Sequence, residues 1–209
     1  MESKKHFLQT QTTSHFLLTE VFLIFVARTM RNRIRIIGGE WRSRVLTFPS
    51  DIDLRPTPDR VRETVFNWLG QDMSQKHCLD LFAGSGAMGF EAASRGAAEV
   101  VMVESNPAVL KALRATLQKL GPTCIELMEM DAMNFIDSNQ RRFDVIFLDP
   151  PYRLDLLPRL LPKLHAHLAE GGLVYLEGER AAEFEGWTAW RRGHAGKVRY
   201  QLLSSTING

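Results

Sequence analysis

Four consecutive residues, Asp149-Pro150-Pro151-Tyr152, have the make-up of a chemical site. They follow Phe143-Asp144-Val145-Ile146-Phe147-Leu148, an apolar run that reads as a buried strand. Two prolines after an acid form a stiff protrusion, and at the carboxyl edge of a parallel sheet it enters the ligand crevice. Its groups suit an amino nitrogen on an aromatic ring, a poor nucleophile because its lone pair is delocalised. The Asp149 carboxylate and the Pro150 carbonyl can accept the two N–H bonds. That encourages tetrahedral character and holds the nitrogen in line with an electrophile. Tyr152 offers a flat face on which a base can stack. Alone, the tetrapeptide fits an ordinary turn; its place downstream of a glycine loop and a second acid favours chemistry.

That loop is Asp80-Leu81-Phe82-Ala83-Gly84-Ser85-Gly86-Ala87-Met88-Gly89, a G-x-G-x-x-G after one strand and before a helix. The glycines allow a tight turn and close approach of backbone to ligand. Glu104 ends the next strand, where a carboxylate can take both hydroxyls of a ribose, with Ser105 beside it. Loop and acid together indicate a nucleoside-containing cofactor. A dinucleotide would place its pyrophosphate on the helix N-terminus, whereas S-adenosylmethionine carries the same adenosine without a phosphate. Asp80 favours the latter, since a carboxylate can face the cationic methionine end but repels a pyrophosphate. Asp131, followed by Ala132, can accept from the adenine amino group or cap the helix that begins there, and both can hold at once.

These residues need a scaffold, and the chain after Gly70 supplies one. Strand-like runs at Cys78–Phe82, Val100–Val103, Cys124–Met130, Phe143–Leu148 and Leu173–Leu176 alternate with helical runs at Met88–Arg95, Ala108–Leu120 and Leu154–Leu168. Gly171-Gly172 reads as the turn into the fifth strand. This order predicts an α/β fold, a parallel sheet covered on both faces. Two further runs around Gly193-His194-Ala195-Gly196 predict an antiparallel terminal hairpin. Upstream, Arg33–Ile37 and Trp41–Leu46 alternate across Gly38-Gly39 and read as a β-hairpin. A helix to Leu69 follows, with Thr57 as its cap, Pro58 in its first turn and Val61, Val65, Phe66 and Leu69 as its apolar face.

Charge is uneven along the chain. From Arg28 to Arg62 there are nine arginines, no lysine and four acids, a net +5 in a chain of net +2. Such a front fits either an anionic partner or a solvated arginine-rich surface. Arg60 and Arg62 diverge on a helix; one can reach a phosphate or a cofactor carboxylate, or pair with Asp59 or Glu63. Trp41 and Trp68 read as packing residues. Cys78 and Cys124 sit in apolar runs as core thiols, far from the Asp-Pro-Pro-Tyr turn, which speaks against a cysteine nucleophile and against a metal cluster. Phe16 to Ala27 is apolar except for Thr19 and Glu20, too short to cross a bilayer. It fits a dispensable extension preceding a start at Met30, a packed helix, or a targeting segment. The expected organisation is therefore 1–30 extension, 31–70 basic hairpin-and-helix appendage, and 71–209 cofactor-binding domain, in a cytoplasmic monomer without membrane contact.

Taken together, Ile34–Arg42, Leu54–Leu69, Leu79–Gly89 and Asp149–Tyr152 resemble the bacterial 16S rRNA guanine-N2 methyltransferase family, class I enzymes with an Asp-Pro-Pro-Tyr motif. The likeness spans roughly Ile34 to Leu203, and its most specific stretch is Leu54–Leu69. It implies a Rossmann-like fold with a seven-stranded sheet and S-adenosylmethionine at Asp80, Gly84, Gly86, Glu104 and Asp131. Phe82, Ala83, Ser85, Gly89, Ser105 and Ala132 are expected to line the same site, and the target base to meet Asp149–Tyr152. It further implies 16S rRNA, in the small subunit or an assembly intermediate, as partner. Arg33, Arg35, Arg42, Arg44, Arg60 and Arg62 are expected to contact that RNA. A DNA amino-methyltransferase and a non-catalytic RNA-binding assembly factor on the same fold are the alternatives.

Overall fold

The computed structural model describes residues 33–48, 56–151, 156–178 and 183–207. The extension 1–30 and Tyr152 lie outside the described residues.

A two-stranded antiparallel ribbon, β1 (Arg33–Arg35) and β2 (Val45–Thr47), precedes helix α1 (Asp59–Leu69). Then come β3 (His77–Asp80), α2 (Ala87–Ser94), β4 (Glu99–Glu104), α3 (Pro107–Leu120), β5 (Ile125–Glu129), α4 (Ala132–Ser138), β6 (Phe143–Leu148), α5 (Leu157–Leu164), β7 (Leu168–Gly178), β8 (Trp187–Ala195) and β9 (Val198–Ser205). The seven-stranded sheet runs β5-β4-β3-β6-β7-β9-β8. Its first five strands are parallel, and the β8–β9 hairpin closes it antiparallel. Strand order reverses between β3 and β6, which opens a crevice at their carboxyl ends.

Alternation along the strands divides the core between two faces. Cys78, Val100, Met102, Val145, Phe147 and Tyr175 face the ribbon, α1, α2 and α3. Leu79, Val101, Ile146, Leu148, Val174 and Leu176 face α4 and α5. Local sequence explains the helix ends. Asn106 caps α3 by accepting from Ala108 N at 2.9 Å, Pro107 occupies its first turn, and Gly121 ends it in the left-handed region.

Residues 33–48 and 56–70 are not a separate appendage. Val61, Val65 and Phe66 are fully buried in the same core as the sheet, and the Phe66 ring lies 5.8 Å from that of Phe147. Trp41 is buried in this core, and Trp68 packs on Tyr200 at 5.4 Å. The ribbon is shorter than its alternation suggests, with Ile36 to Arg44 forming its connection. Gly38-Gly39 serves that connection by close packing. A Cβ on Gly39, whose φ is +74°, would lie 1.7 Å from the Ser94 carbonyl oxygen at the end of α2. Three more boundaries differ. Pro58, not Thr57, occupies the cap position of α1. The described helix after β6 is confined to Leu157–Leu164 and gives way to a 3-10 turn at His165–His167. Gly171-Gly172 form an irregularity inside a longer β7.

The largest correction concerns Arg62. It is fully buried and donates to Glu91 Oε2 at 3.1 Å, to Asp59 Oδ1 at 2.6 Å, and to the carbonyls of Arg35 at 2.8 Å and Thr57 at 3.2 Å. Glu91, equally buried, also accepts from the backbone N–H groups of Ile37 and Gly38 and from Arg95. With its side chain fully buried, Arg62 has no face for RNA. Its role is to bolt ribbon, α1 and α2 together. Removing one partner of such a pair leaves a buried charge uncompensated. Arg62→Ala and Glu91→Ala should each cost about 3–5 kcal/mol in urea denaturation. Arg60→Ala, on the exposed side of α1, should change stability by under about 0.5 kcal/mol; equal small effects at all three positions would contradict this picture.

Candidate active site

A cleft of about 350 Å³ opens at the carboxyl ends of β3, β4 and β6 and beside the start of α4. Asp80, Phe82, Ala83, Gly84, Ser85, Glu104, Ser105, Asp131, Ala132, Asp149 and Pro151 all line it. Gly86, Gly89 and Pro150 are not on its wall. Gly86 holds φ +77° at the start of α2, where a Cβ would strike the Phe90 ring at 2.5 Å. Gly89 lets α2 approach β4, since a Cβ there would meet Met102 at 2.9 Å. Pro150 is buried and keeps the turn stiff.

The loop's amides are largely committed to the protein itself. Gly84 N–H donates to Glu104 Oε2 at 3.0 Å, Gly86 N–H to the Ala83 carbonyl at 2.7 Å, and Gly89 N–H to Asp80 Oδ2 at 2.9 Å. Glu104 Oε1 accepts from Ser105 and Asn106 N–H at 2.9 and 2.8 Å, so its carboxylate is fixed at the cleft wall. Asp131 caps α4 through Oδ1, accepting from Met133 N at 2.8 Å. A carboxylate has lone pairs beyond that one bond, so the cap is compatible with a second acceptor role.

Three acids define the electrostatics. Register places Asp80, Phe147 and Tyr175 side by side across β3, β6 and β7. One step beyond the pair Leu148–Leu176 come Asp149 and Glu177. Burial pushes Asp80 up to about 7, with the nearby Glu104 charge adding to the rise and the Gly89 N–H opposing it. Asp149 is raised well above the usual carboxylate range, first by burial and then by the negative charges of Glu177 and Asp80. A carboxylate so raised holds a proton more readily than an ordinary one. Cys78 is buried within β3 and its thiol is raised strongly by burial, which removes it as a nucleophile.

Several cleft residues carry no sequence signal of their own. Pro56 and Thr57 arrive from the lead-in to α1, Phe147 and Tyr175 from the strand interiors, and Leu156 from the approach to α5. Glu177 was legible only as an acid ending an apolar strand. Of the predicted arginines, Arg33, Arg35, Arg42, Arg44 and Arg60 are exposed.

A raised acid favours the fold in its protonated form. The Asp80 contribution is therefore fully present below its unfolded value and is lost as pH rises through about 7. Asn at this position keeps an acceptor for Gly89 N–H without titrating. Ligand-free wild type should thus lose thermal stability relative to Asp80→Asn between about pH 5 and pH 8; parallel melting curves across that range would refute the assignment.

Known proteins resemble this chain over most of its length. The family described as "Conserved hypothetical protein 95" matches residues 34–204. Ribosomal RNA small subunit methyltransferase D of Escherichia coli strain K12 is 39% identical over 183 residues, 85% of this chain and 92% of that protein. Its Haemophilus influenzae counterpart is 39% identical over 184 residues, 84% of this chain and 95% of that one. The solved structure of Escherichia coli yhhF superposes with a TM-score of 0.74 at 37% identity, covering 83% of this chain and 98% of that chain. An RNA methyltransferase from Salinibacter ruber, solved with S-adenosyl-L-homocysteine, shares the fold at a TM-score of 0.58 and 21% identity, covering 70% of this chain and 91% of that one. The chain belongs to the Conserved hypothetical protein 95 family, together with the ribosomal RNA small subunit methyltransferases D.

Proposed function

We propose that this protein transfers the methyl group of S-adenosylmethionine to the exocyclic N2 of a guanine in 16S rRNA, within the small subunit or an assembly intermediate. The observation that carries this reading is the opening of Asp149 and of the glycine loop with Glu104 into one cleft. The cofactor supplies a methyl group on a cationic sulfur. Asp80, buried beneath the loop, suits that positive end. Glu104 is placed for ribose hydroxyls, and Asp131 for the adenine amino group.

The remaining work falls to the chain's own residues. Asp149 and the Pro150 carbonyl accept the two N–H bonds of the target amine, and the stiff turn fixes its direction of attack. As the nitrogen gains a methyl carbon it becomes cationic, and one of its protons passes to Asp149. In this reading Tyr152 stacks on the base. The exposed Arg33, Arg35, Arg42, Arg44 and Arg60 hold RNA phosphates, so binding should weaken steeply with salt.

Purified protein incubated with labelled S-adenosylmethionine and small-subunit RNA or particles lacking the mark should yield labelled N2-methylguanine on nucleoside digestion. Asp149→Ala should lower transfer at least about a hundredfold and leave cofactor affinity within severalfold. Label on adenine N6, or only on DNA, would overturn the proposal.

A further inference from the structure

Glu177 is a buried acid that the transfer step leaves unused. It lies near the end of β7 and is 6% exposed, and it follows Leu176 as Asp149 follows Leu148, the last residues paired between β7 and β6. Its carboxylate is held from two directions. The Tyr175 hydroxyl, buried on the same face, donates to Oε2 at 2.8 Å. The Thr57 side chain, from the lead-in to α1, is its second hydrogen-bond partner. Tyr175 and Thr57 both line the cleft, and the Tyr175 ring packs edge-on against Phe147 at 6.3 Å. The groups around Glu177 are Asp80 on β3, Asp149 after β6, Tyr175 on β7, Tyr200 on β9 and Thr57 before α1, and Arg192, His194 and Arg199 of β8 and β9 line a second cleft that Glu177 also borders.

We propose that Glu177 is a positioning residue for the methyl-transfer reaction: anchored by Tyr175 and Thr57, it fixes the Asp149 carboxylate and its readiness to take the proton released by the amine. The inference rests on the proposed function for the identity of that amine. Its physical basis is like-charge proximity. A second carboxylate beside Asp149 makes a further negative charge there less favourable, and so makes Asp149 the better proton acceptor. Burial raises Glu177 itself, while its two hydroxyl partners favour the ionised form. Thr57 makes this an assembly check as well. The lead-in to α1 at Pro56 and Thr57 must be seated for Glu177 to be held, which ties the placement of α1 to this corner of the cleft.

The experiment compares wild type, Glu177→Gln and Tyr175→Phe, with folding checked by thermal melts. Activity requires ionised Asp149, so kcat/KM falls as pH drops through its pKa. Removing the neighbouring charge lowers that pKa, so the acid limb in Glu177→Gln should move to lower pH by about one unit. Tyr175→Phe, which removes a donor favouring ionised Glu177, should move it the same way by less. Together the two changes should shift the limb no further than Glu177→Gln alone. In parallel, carbon NMR of the Asp149 side-chain carboxyl in ligand-free protein should show its titration falling in both variants. This arm needs no methyl transfer. A wild type that methylates no guanine therefore sinks the functional reading alone. Unmoved acid limbs and unmoved Asp149 titration in folded variants sink the role of Glu177. If Glu177→Gln fails to fold, the Tyr175→Phe profile and titration decide.

Discussion

Three carboxylates taken out of water at the ends of three strands are the constraint around which this molecule is arranged. Asp80 and Glu177 are buried, Asp149 is half-buried between them, and all three are raised. Isolated buried charges of one sign are unfavourable, so the ligand-free site sits poised for protons or cations. A cationic cofactor end and an amine that becomes cationic during reaction are the ligands such a site favours. The same arrangement disfavours phosphates. Preference for a sulfonium cofactor over a dinucleotide thus follows from electrostatics as well as from family membership.

Holding those acids in place is the task of the N-terminal segments. Arg62 and Glu91 neutralise one another in the core and, through backbone partners at Arg35, Ile37, Gly38 and Thr57, fasten the ribbon and α1 to α2. With α1 seated, Phe66 packs on Phe147, which packs on Tyr175, whose hydroxyl holds Glu177. A continuous path of contacts therefore runs from an ion pair deep in one face to Glu177, near the end of β7. The exposed arginines ride on the outside of the same segments. Exposed positive charge and internal packing are thus built from one stretch of chain.

What the sequence revealed depended on whether the signal was local. The glycine loop, Glu104, Asp131 and the Asp149 turn are each contiguous or fall at strand ends, and periodicity alone orders them; the structure brings them to one cleft. The parallel sheet and terminal hairpin were legible for the same reason. Arg62 was not, because its deciding partner, Glu91, lies 29 residues away on another helix. An arginine in a basic window looks like its exposed neighbours until that partner is seen. Gly38-Gly39 marked the ribbon's connection correctly but not its close packing on α2, since a tight turn and a close approach demand the same residue. Glu177 escaped notice because its significance is a matter of register, visible only once Leu148 is paired with Leu176.

The claim that a buried, proton-holding acid awaits a cationic ligand is tested most directly by counting protons when S-adenosylmethionine binds. Calorimetric titrations near pH 7, in buffers of differing ionisation enthalpy, give that count. Because Asp80 titrates at about 7 in the empty protein, a positive charge placed beside it must drive a fraction of a proton into solution. The account predicts net proton release in wild type and a smaller release in Asp80→Asn. Binding with no proton exchanged, or with protons taken up, would contradict it.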